Sequence, residues 1–176
     1  MQAVTIRPLL AEQVEAEIAA LSELLIDCVE GGASVSFMAP IAWEHAESFW
    51  RGVAVRVAEG TTDLLIAELG GAVVGTVQLV AAVPENQPHR ADVAKMLVLR
   101  RARRQGVGRA LMRAVEQLAA AKGKTLLVLD TVSGAAGERL YESVGWVSVG
   151  TIPNYALFPD GRPCDTTIFY RALLPA

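Results

Sequence analysis

The sequence predicts an α/β fold, in which a β-sheet is flanked by helices. Short apolar runs typical of strands alternate with longer segments whose apolar residues recur at helical spacing. The chain has 176 residues, enough for one domain with a sizeable core. It is 52% hydrophobic and 20% charged, a composition that favours a globular protein over a disordered one. We therefore expect a single domain over residues 1–176.

The predicted order is strand, two helices, three strands, helix, strand, helix and two strands. The strands are predicted at residues 4–7, 64–69, 73–80, 93–99, 125–130, 146–152 and 166–171. The helices are predicted at residues 14–28, 40–59, 107–121 and 135–144. Pro40 is expected in the first turn of the second helix. Gly70-Gly71 and Pro159-Asp160-Gly161 are turn signals, so the strands on either side of each should form a hairpin.

Several function classes lack support in the sequence. The net charge is −3, which gives no general attraction to nucleic acid. The chain has no apolar run of about 18 residues and no signal-peptide pattern, so we expect a cytoplasmic protein without a membrane partner. Cys28 and Cys164 are expected to be buried free thiols, and His45 and His89 to be structural or surface residues. No metal is expected, because no cluster has metal-ligand spacing.

A turn rich in arginine and glycine joins the strand at 93–99 to the helix at 107–121. Its glycines let the backbone approach a ligand closely, and the N–H groups and dipole at the helix start favour an anion. A Walker loop is excluded because Arg109 follows Gly108, and a dinucleotide fingerprint is excluded because Leu111 replaces its third glycine. A phosphate-bearing ligand and a solvated arginine loop are both compatible with this turn.

Arg103, Gly106 and Gly108 have the spacing Arg-x-x-Gly-x-Gly, which resembles the acetyl-CoA loop of the GCN5-related N-acetyltransferase (GNAT) family. The order of elements matches that family too. The resemblance implies a mixed sheet with splayed middle strands, acetyl-CoA as co-substrate, and direct acetyl transfer to an amine with a carboxylate general base. It implies that these residues bind the co-substrate: Met96, Leu97, Val98, Arg103, Arg104, Gln105, Gly106, Val107, Gly108, Arg109 and Ala110. The Leu97 N–H would stabilise the oxyanion.

The same resemblance implies three catalytic residues. Asp92 matches the position of the general base, and its short side chain favours a water relay. Asp130 would face Asp92 across one cleft. Tyr141 lies in a segment that resembles the family's A-x-x-L-Y-x-x-x-G-F/W motif and would lie beside the thioester sulfur. Taken alone, the three residues are also compatible with a strand-start aspartate, a helix N-cap and a half-buried tyrosine, respectively.

Residues 89–112, 126–131, 138–146 and 152–170 are similar to the tabtoxin-resistance acetyltransferases, which acetylate a small β-lactam amino-acid toxin. This similarity implies that the acceptor is a small-molecule amine, with amino-acid-like toxins and antibiotics as one class. Residues 34–38, together with Trp43 and Glu44, would form the acceptor wall. The chain departs from the family at one position: Gly134 stands where asparagine is usual, and Ser133 is a candidate replacement.

Two other functions remain open from the sequence. A protein or peptide N-acetyltransferase would share the pattern. A non-catalytic acyl-CoA sensor would share it as well, although a sensor needs none of Asp92, Asp130 and Tyr141. The sequence also leaves open whether the protein forms a homodimer and which of the two aspartates is the main base.

Overall fold

The computed structural model describes residues 3–173, and its strands form one seven-stranded sheet. The strands are β1 Val4–Leu9, β2 Thr62–Leu69, β3 Ala72–Ala81, β4 Arg90–Val98, β5 Leu126–Val132, β6 Val147–Leu157 and β7 Pro163–Ala172. Their order across the sheet is β1-β2-β3-β4-β5-β7-β6. Within this sheet β4 and β5 are parallel, and the other neighbouring strands are antiparallel. The mixed sheet confirms the predicted fold class.

The helices are α1 Ala11–Ala16, α2 Ile18–Glu30, α3 Trp43–Ala58, α4 Val107–Ala121 and α5 Ala136–Ser143. The predicted first helix is in fact two, because Glu17 leaves the helical conformation with φ −97° and ψ 5°. The placement of Pro40 in a helix is wrong, since α3 begins only at Trp43. Among residues 3–173, no helix is both long and apolar enough to cross a lipid bilayer.

Strand β4 begins at Arg90, earlier than predicted. Arg90 and Asp92 alternate with the buried Ala91 and Val93, so one face of the strand start is polar. Because of these polar residues, the apolar run that predicts the strand begins only at Val93. The alternative interpretation of Asp92 as a strand-start aspartate fits this placement, because Asp92 is the third residue of β4.

Helices cover both faces of the sheet. Helix α4 lies across β1 to β4, whereas α2 and α3 cover β2 to β4 on the opposite face. Gly75 of β3 allows α4 to approach closely, because a Cβ there would lie 3.1 Å from side-chain carbons of both Val107 and Leu111. The first turns of α4 are thus held against the middle of the sheet, which fixes the position of the turn that precedes them.

The parallel strands β4 and β5 part soon after they meet. Three Cα pairs join them, namely Arg90–Leu126, Ala91–Leu127 and Asp92–Val128. Beyond these pairs, β4 continues beside β3 and β5 continues beside β7. A cleft therefore opens between the two strands from Asp92 toward their C-terminal ends. This divergence is the splayed arrangement that the family resemblance implies.

Candidate active site

A β-bulge interrupts the half of β4 that borders the cleft. The register with β3 shifts between Thr76 and Gln78, so Lys95 and Met96 together oppose one residue. Lys95 has φ +49°, in the left-handed region. Such a bulge redirects side chains. The Lys95 ammonium points toward α3, whereas the Met96 sulfur points toward the start of α4.

The turn between β4 and α4 has the backbone geometry of an anion-binding site. Arg104 has φ +61° and Gly106 has φ +83°. The first helical hydrogen bond runs from the Ala110 N–H to the Gly106 carbonyl at 3.0 Å, and no side chain caps the helix. The N–H groups of residues 107–109 therefore have no helical acceptor, and they lie at the positive end of the helix dipole.

Most arginines around this turn lack a carboxylate partner within residues 3–173. The exception is Arg100, whose Nε lies 2.8 Å from Asp27 Oδ1. The arginines without such a partner are Arg101, Arg103, Arg104 and Arg109. Arg103 Nε donates to the Val98 carbonyl at 3.3 Å, so a ligand that pairs with Val98 has to displace this contact. Free N–H groups beside uncompensated guanidinium groups favour the interpretation of a phosphate-bearing ligand.

The two glycines of the turn have different roles. No atom lies within 4 Å of a Cβ added to Gly106, so glycine is needed there for its positive φ. A Cβ on Gly108 would lie 2.9 Å from Cδ2 of Leu140 in α5 and 3.8 Å from the Met96 sulfur. The contact with Leu140 therefore adds a packing role to the close approach to a ligand that the sequence predicts for Gly108. Its missing side chain lets α4 begin against α5.

Asp92 lies at the point where β4 and β5 part. Its Oδ1 is 2.5 Å from Nη1 of Arg90, and Arg90 Nε is in turn 2.7 Å from Oε1 of Gln87. The Asp92 side chain is 42% exposed. The carboxylate is therefore held in one orientation and remains open to water, as a proton relay through water requires.

Asp130 lies on the same face of the sheet as Asp92. Asp92 is level with Val128, and Asp130 is two residues further along β5. Because neighbouring strands are about 4.8 Å apart and alternate residues about 6.7 Å apart, the two aspartate Cα atoms are separated by roughly 8 Å or more. The helix-cap interpretation of Asp130 is wrong, because Asp130 pairs with Ile168 in the sheet and Ala135 is the N-cap of α5. The cleft thus has both carboxylates on one face of the sheet.

Tyr141 projects from α5 into an aromatic cluster. Its ring centroid lies 6.3 Å from that of Trp146 and 6.0 Å from that of Phe169, and the residue is 6% exposed. Burial raises the pKa of the phenol, and the nearby charge of Asp130 raises it further. The phenol therefore stays protonated. It is suited to donate a hydrogen bond to a thiolate rather than to give up its proton, since a thiol has a pKa of about 8.5.

Hydrogen bonds within the protein hold the turn between β5 and α5. The Gly134 N–H donates to the Glu138 carboxylate, and Arg139 Nη1 donates to the Gly134 carbonyl at 2.9 Å. The hydroxyl groups of Ser133 and Thr167 lie 2.7 Å apart. Ser133 is therefore engaged with β7, which weakens the suggestion that it replaces the asparagine of the family.

The predicted acceptor wall at residues 34–38 is a loop that is tied to the β6–β7 hairpin. Ser34 Oγ donates to the Leu157 carbonyl at 2.6 Å. The Ala39 N–H donates to the Pro159 carbonyl at 3.0 Å. The loop between α2 and α3 and the hairpin therefore form one continuous wall.

Helix α3 adds aromatic side chains to this wall. The Phe37 ring lies 5.2 Å from the Phe49 ring and 5.3 Å from the His45 ring, an edge-to-face arrangement in both cases. His45 thus has a packing role, in agreement with its interpretation as a structural residue. Trp43 and Glu44 at the start of α3 are exposed.

Lys95 is a candidate functional residue that the sequence analysis missed. Its Nζ lies 3.1 Å from Ser36 Oγ and 6.0 Å from the centroid of the Phe49 ring. Burial lowers the pKa of Lys95, while the charge of Asp130 raises it and that of Arg56 lowers it further. Lys95 is the one charged residue in the apolar run at 93–99, and that contrast is the feature by which the sequence marks it.

Neither cysteine takes part in this site as a metal ligand or disulfide. Cys28 and Cys164 are buried free thiols, as predicted. In the part of the chain that the structure describes, no three His, Cys, Asp or Glu side chains are grouped to hold a metal ion.

Comparisons with known proteins identify relatives with this architecture. The model of the acetyltransferase (GNAT) family matches residues 19–146. An uncharacterized N-acetyltransferase in the hisH-hisA intergenic region of Azospirillum brasilense is 38% identical over 106 residues. That match spans 59% of this chain and 61% of the relative, so the chain covers less than two thirds of the relative's length.

Two solved structures share the whole fold. The putative acetyltransferase yncA from Salmonella typhimurium, solved with its cofactor acetyl-CoA, has a TM-score of 0.80 at 22% identity, over 99% of this chain and 96% of its own. Ribosomal-protein-alanine N-acetyltransferase from Brucella melitensis has a TM-score of 0.80 at 24% identity, over 96% and 99%. At these identities the likeness concerns the fold. The family model, in contrast, spans the parted strands, the turn before α4 and Tyr141, and this chain therefore belongs to the acetyltransferase (GNAT) family.

Proposed function

We propose that the protein is an N-acetyltransferase that transfers the acetyl group of acetyl-CoA directly to the amine of a small molecule. The observation that carries this proposal is the cleft that opens between β4 and β5 at Asp92 and leads to the arginine-rich turn before α4. Acetyl-CoA bound with its thioester in that cleft would have carboxylates beside the thioester and free N–H groups near its phosphates. Family membership and the similar structure solved with acetyl-CoA support the choice of co-substrate.

Two segments would bind acetyl-CoA. The N–H groups of residues 107–109 and the arginines of the turn meet the phosphate charges. The backbone of residues 96–98 borders the cleft and pairs with the pantetheine arm as an added strand would. The Arg103 side chain leaves the Val98 carbonyl as the arm enters.

In the chemical step, the amine nitrogen attacks the carbonyl carbon of the thioester. The C–N bond forms, the C–S bond breaks, and CoA leaves as a thiolate. The negative oxygen of the tetrahedral intermediate accepts a hydrogen bond from a backbone N–H of β4 that faces the cleft. Val98 is better placed for this than Leu97, because the Leu97 carbonyl lies against Gly75 of β3 and the N–H of a strand residue points to the same edge as its carbonyl. The proton lost by the amine passes to a carboxylate in the cleft, directly or through water. The thiolate accepts a hydrogen bond from Tyr141 and takes its proton from solvent.

Asp130 is better placed than Asp92 to be the main base. Asp92 is held by Arg90 at 2.5 Å. Asp130 is exposed and makes no ion pair within residues 3–173. We therefore assign the direct proton transfer to Asp130 and a water-mediated contribution to Asp92.

A screen of amines that follows release of the CoA thiol tests this proposal. The panel includes polyamines, amino-acid-like toxins and antibiotics chosen for the similarity to tabtoxin-resistance enzymes, and short peptides. We expect thiol release with at least one small amine and its loss in Asp130→Asn. A matched control is Asp63→Asn, since Asp63 is bound to Lys122 and lies two strands away from β4.

Two outcomes would replace the proposal. Turnover confined to peptides would make the protein a peptide N-acetyltransferase. Calorimetric binding of acetyl-CoA without turnover of any amine would make it an acyl-CoA sensor.

A further inference from the structure

We propose that Lys95 and Arg56 form a subsite for an anionic group of the acceptor, so that the enzyme selects amines that also carry a carboxylate. This inference rests on the proposed acetyl transfer, because it concerns the acceptor side of the same cleft. It assigns a specificity-determining role to two cations that the transfer of the acetyl group does not itself require.

The backbone of β4 is distorted in a way that brings Lys95 to the acceptor side. Side chains of a regular strand alternate between the two faces of the sheet, so Lys95 would lie on the face opposite to Ala94, beneath α4 and its apolar residues. The bulge, with φ +49° at Lys95, turns the side chain toward α3 instead. A non-glycine residue in this conformation costs of order 1–3 kcal/mol. Strain of this kind persists only where the surrounding structure imposes it, and strained residues are concentrated at functional sites.

The Lys95 ammonium is surrounded by groups that leave it available to an anion. Of its three N–H donors, one reaches Ser36 Oγ at 3.1 Å. The Phe49 ring, 6.0 Å away, offers its face to a cation. Arg56 extends along the same face of α3, because its Nη1 lies 3.6 Å from the position of a Cβ on Gly52, one helical turn after Phe49. No carboxylate lies within ion-pair distance of Lys95 or of Arg56 among residues 3–173. The burial that lowers the pKa of Lys95 means that an anionic partner would stabilise the charged ammonium.

The charges of the cleft match the two ends of a zwitterion. Asp130 lies on β5, across the cleft from the strand that carries Lys95, and its charge raises the pKa of both Lys95 and Tyr141. An acceptor whose ammonium approaches Asp130 and whose carboxylate approaches Lys95 satisfies both charges. A simple amine would place its ammonium near two cations and only one free carboxylate.

Matched acceptor pairs test the subsite. Each pair is an α-, β- or γ-amino acid and its carboxamide, and both are measured by calorimetric binding to the CoA-loaded protein and by turnover with acetyl-CoA. The wild-type protein should bind the acid of at least one pair about tenfold or more tightly than the carboxamide. In turnover, the difference should appear in KM rather than in kcat.

Variants separate the charge of Lys95 from its packing. Lys95→Met, or Lys95→Gln if the methionine variant does not fold, should abolish the preference for the acid, and Lys95→Arg should retain most of it. Arg56→Met should lower it by a smaller factor, about threefold. Ser36→Ala removes the partner of the ammonium but not its charge, so the preference should persist. Arg51→Met removes a cation of α3 that is paired with Glu47, and it should have no effect.

Equal binding of acids and carboxamides by the wild-type protein, or an unchanged preference in Lys95→Met, would overturn the subsite. Failure to bind any acid of the panel would overturn it as well. Failure of the proposed function has a different signature, namely no thiol release although the preference for the acid persists in binding.

Discussion

The two sides of the cleft are built in different ways. The proposed acetyl-CoA side is one continuous segment, residues 96–110, and it presents backbone N–H groups and arginines. The proposed acceptor side combines residues 34–38, α3, Lys95 and the β6–β7 hairpin, which are distant in sequence. A site formed by the backbone of consecutive residues can be recognised in the sequence as a local motif. A site made from side chains of distant segments exists only after folding.

The largest effect should come from neutralising the carboxylates between the two sides. We expect Asp130→Asn to lower kcat by a factor on the order of 10² or more, and Asp92→Asn by a smaller but still large factor. Acetyl-CoA affinity, measured by calorimetry, should change little, because neither residue contacts the turn before α4. Full kcat in either variant between pH 6 and pH 9 would show that the residue is not the base.

The affinity for acetyl-CoA should depend on how closely the first turn of α4 packs against α5. Gly108→Val should weaken acetyl-CoA binding at least about tenfold, or ~1.4 kcal/mol. It should also lower the free energy of unfolding by about 1–3 kcal/mol, because the new side chain meets Leu140. Calorimetry and urea denaturation measure the two effects.

A matched pair of variants separates packing from ligand contact. Gly108→Ala should weaken binding, and the added Leu140→Ala should restore much of it by making room for the new Cβ, which would otherwise lie 2.9 Å from Leu140. Unchanged affinity of folded Gly108→Val for acetyl-CoA would mean that this turn does not bind the co-substrate.

Tyr141→Phe should have a smaller effect than either aspartate variant. Loss of one hydrogen bond to the leaving thiolate should lower kcat about three- to tenfold. The melting temperature should stay close to that of the wild type, because the ring contacts with Trp146 and Phe169 remain. A phenylalanine variant more impaired than Asp92→Asn would make the phenol the central acid–base group.

The smallest effect concerns the attachment of the turn to α2. Asp27 accepts hydrogen bonds from the Arg100 N–H and from Arg100 Nε, both at 2.8 Å. Burial alone would raise the pKa of Asp27, but these bonds outweigh burial and lower it. The ion pair therefore stabilises the fold above the unfolded-state pKa of about 3.9, and this stabilisation is lost as the pH falls through the folded-state value.

We expect Asp27→Asn to lower the free energy of unfolding by about 0.5–1 kcal/mol at pH 7, because the Arg100 side chain is partly exposed. Urea denaturation of both proteins at pH 7 and at about pH 3 measures the difference, which should shrink at the lower pH. An equal difference at both pH values would contradict the role of this ion pair.

The parts of the structure that are determined by neighbouring residues in the chain were predictable from the sequence. The order of strands and helices follows from apolar spacing, and the turn before α4 follows from its glycines and arginines. Errors arose where a longer-range contact decides the structure. Asp130 could be a helix cap or a strand residue until its pairing with Ile168 of β7 is known. Pro40 fits a first helical turn by propensity alone, yet α3 begins later.

The acceptor side was the least predictable part of the site. The direction of the Lys95 side chain depends on a shift of register between β4 and β3, and no local pattern encodes that shift. The packing role of Gly108 likewise depends on Leu140, which lies in another helix. For both residues the sequence shows an unusual residue type, and only the neighbouring element shows what it does.

The bonds from Ser34 to Leu157 and from Ala39 to Pro159 have an evolutionary consequence. They join a loop and a hairpin tip that are distant in sequence, with Ser34 and Leu157 123 residues apart. A mutation or insertion in the hairpin at 158–162 can therefore reshape the proposed acceptor wall while every residue of the proposed acetyl-CoA side stays the same. On this assignment, donor and acceptor recognition can diverge independently of each other.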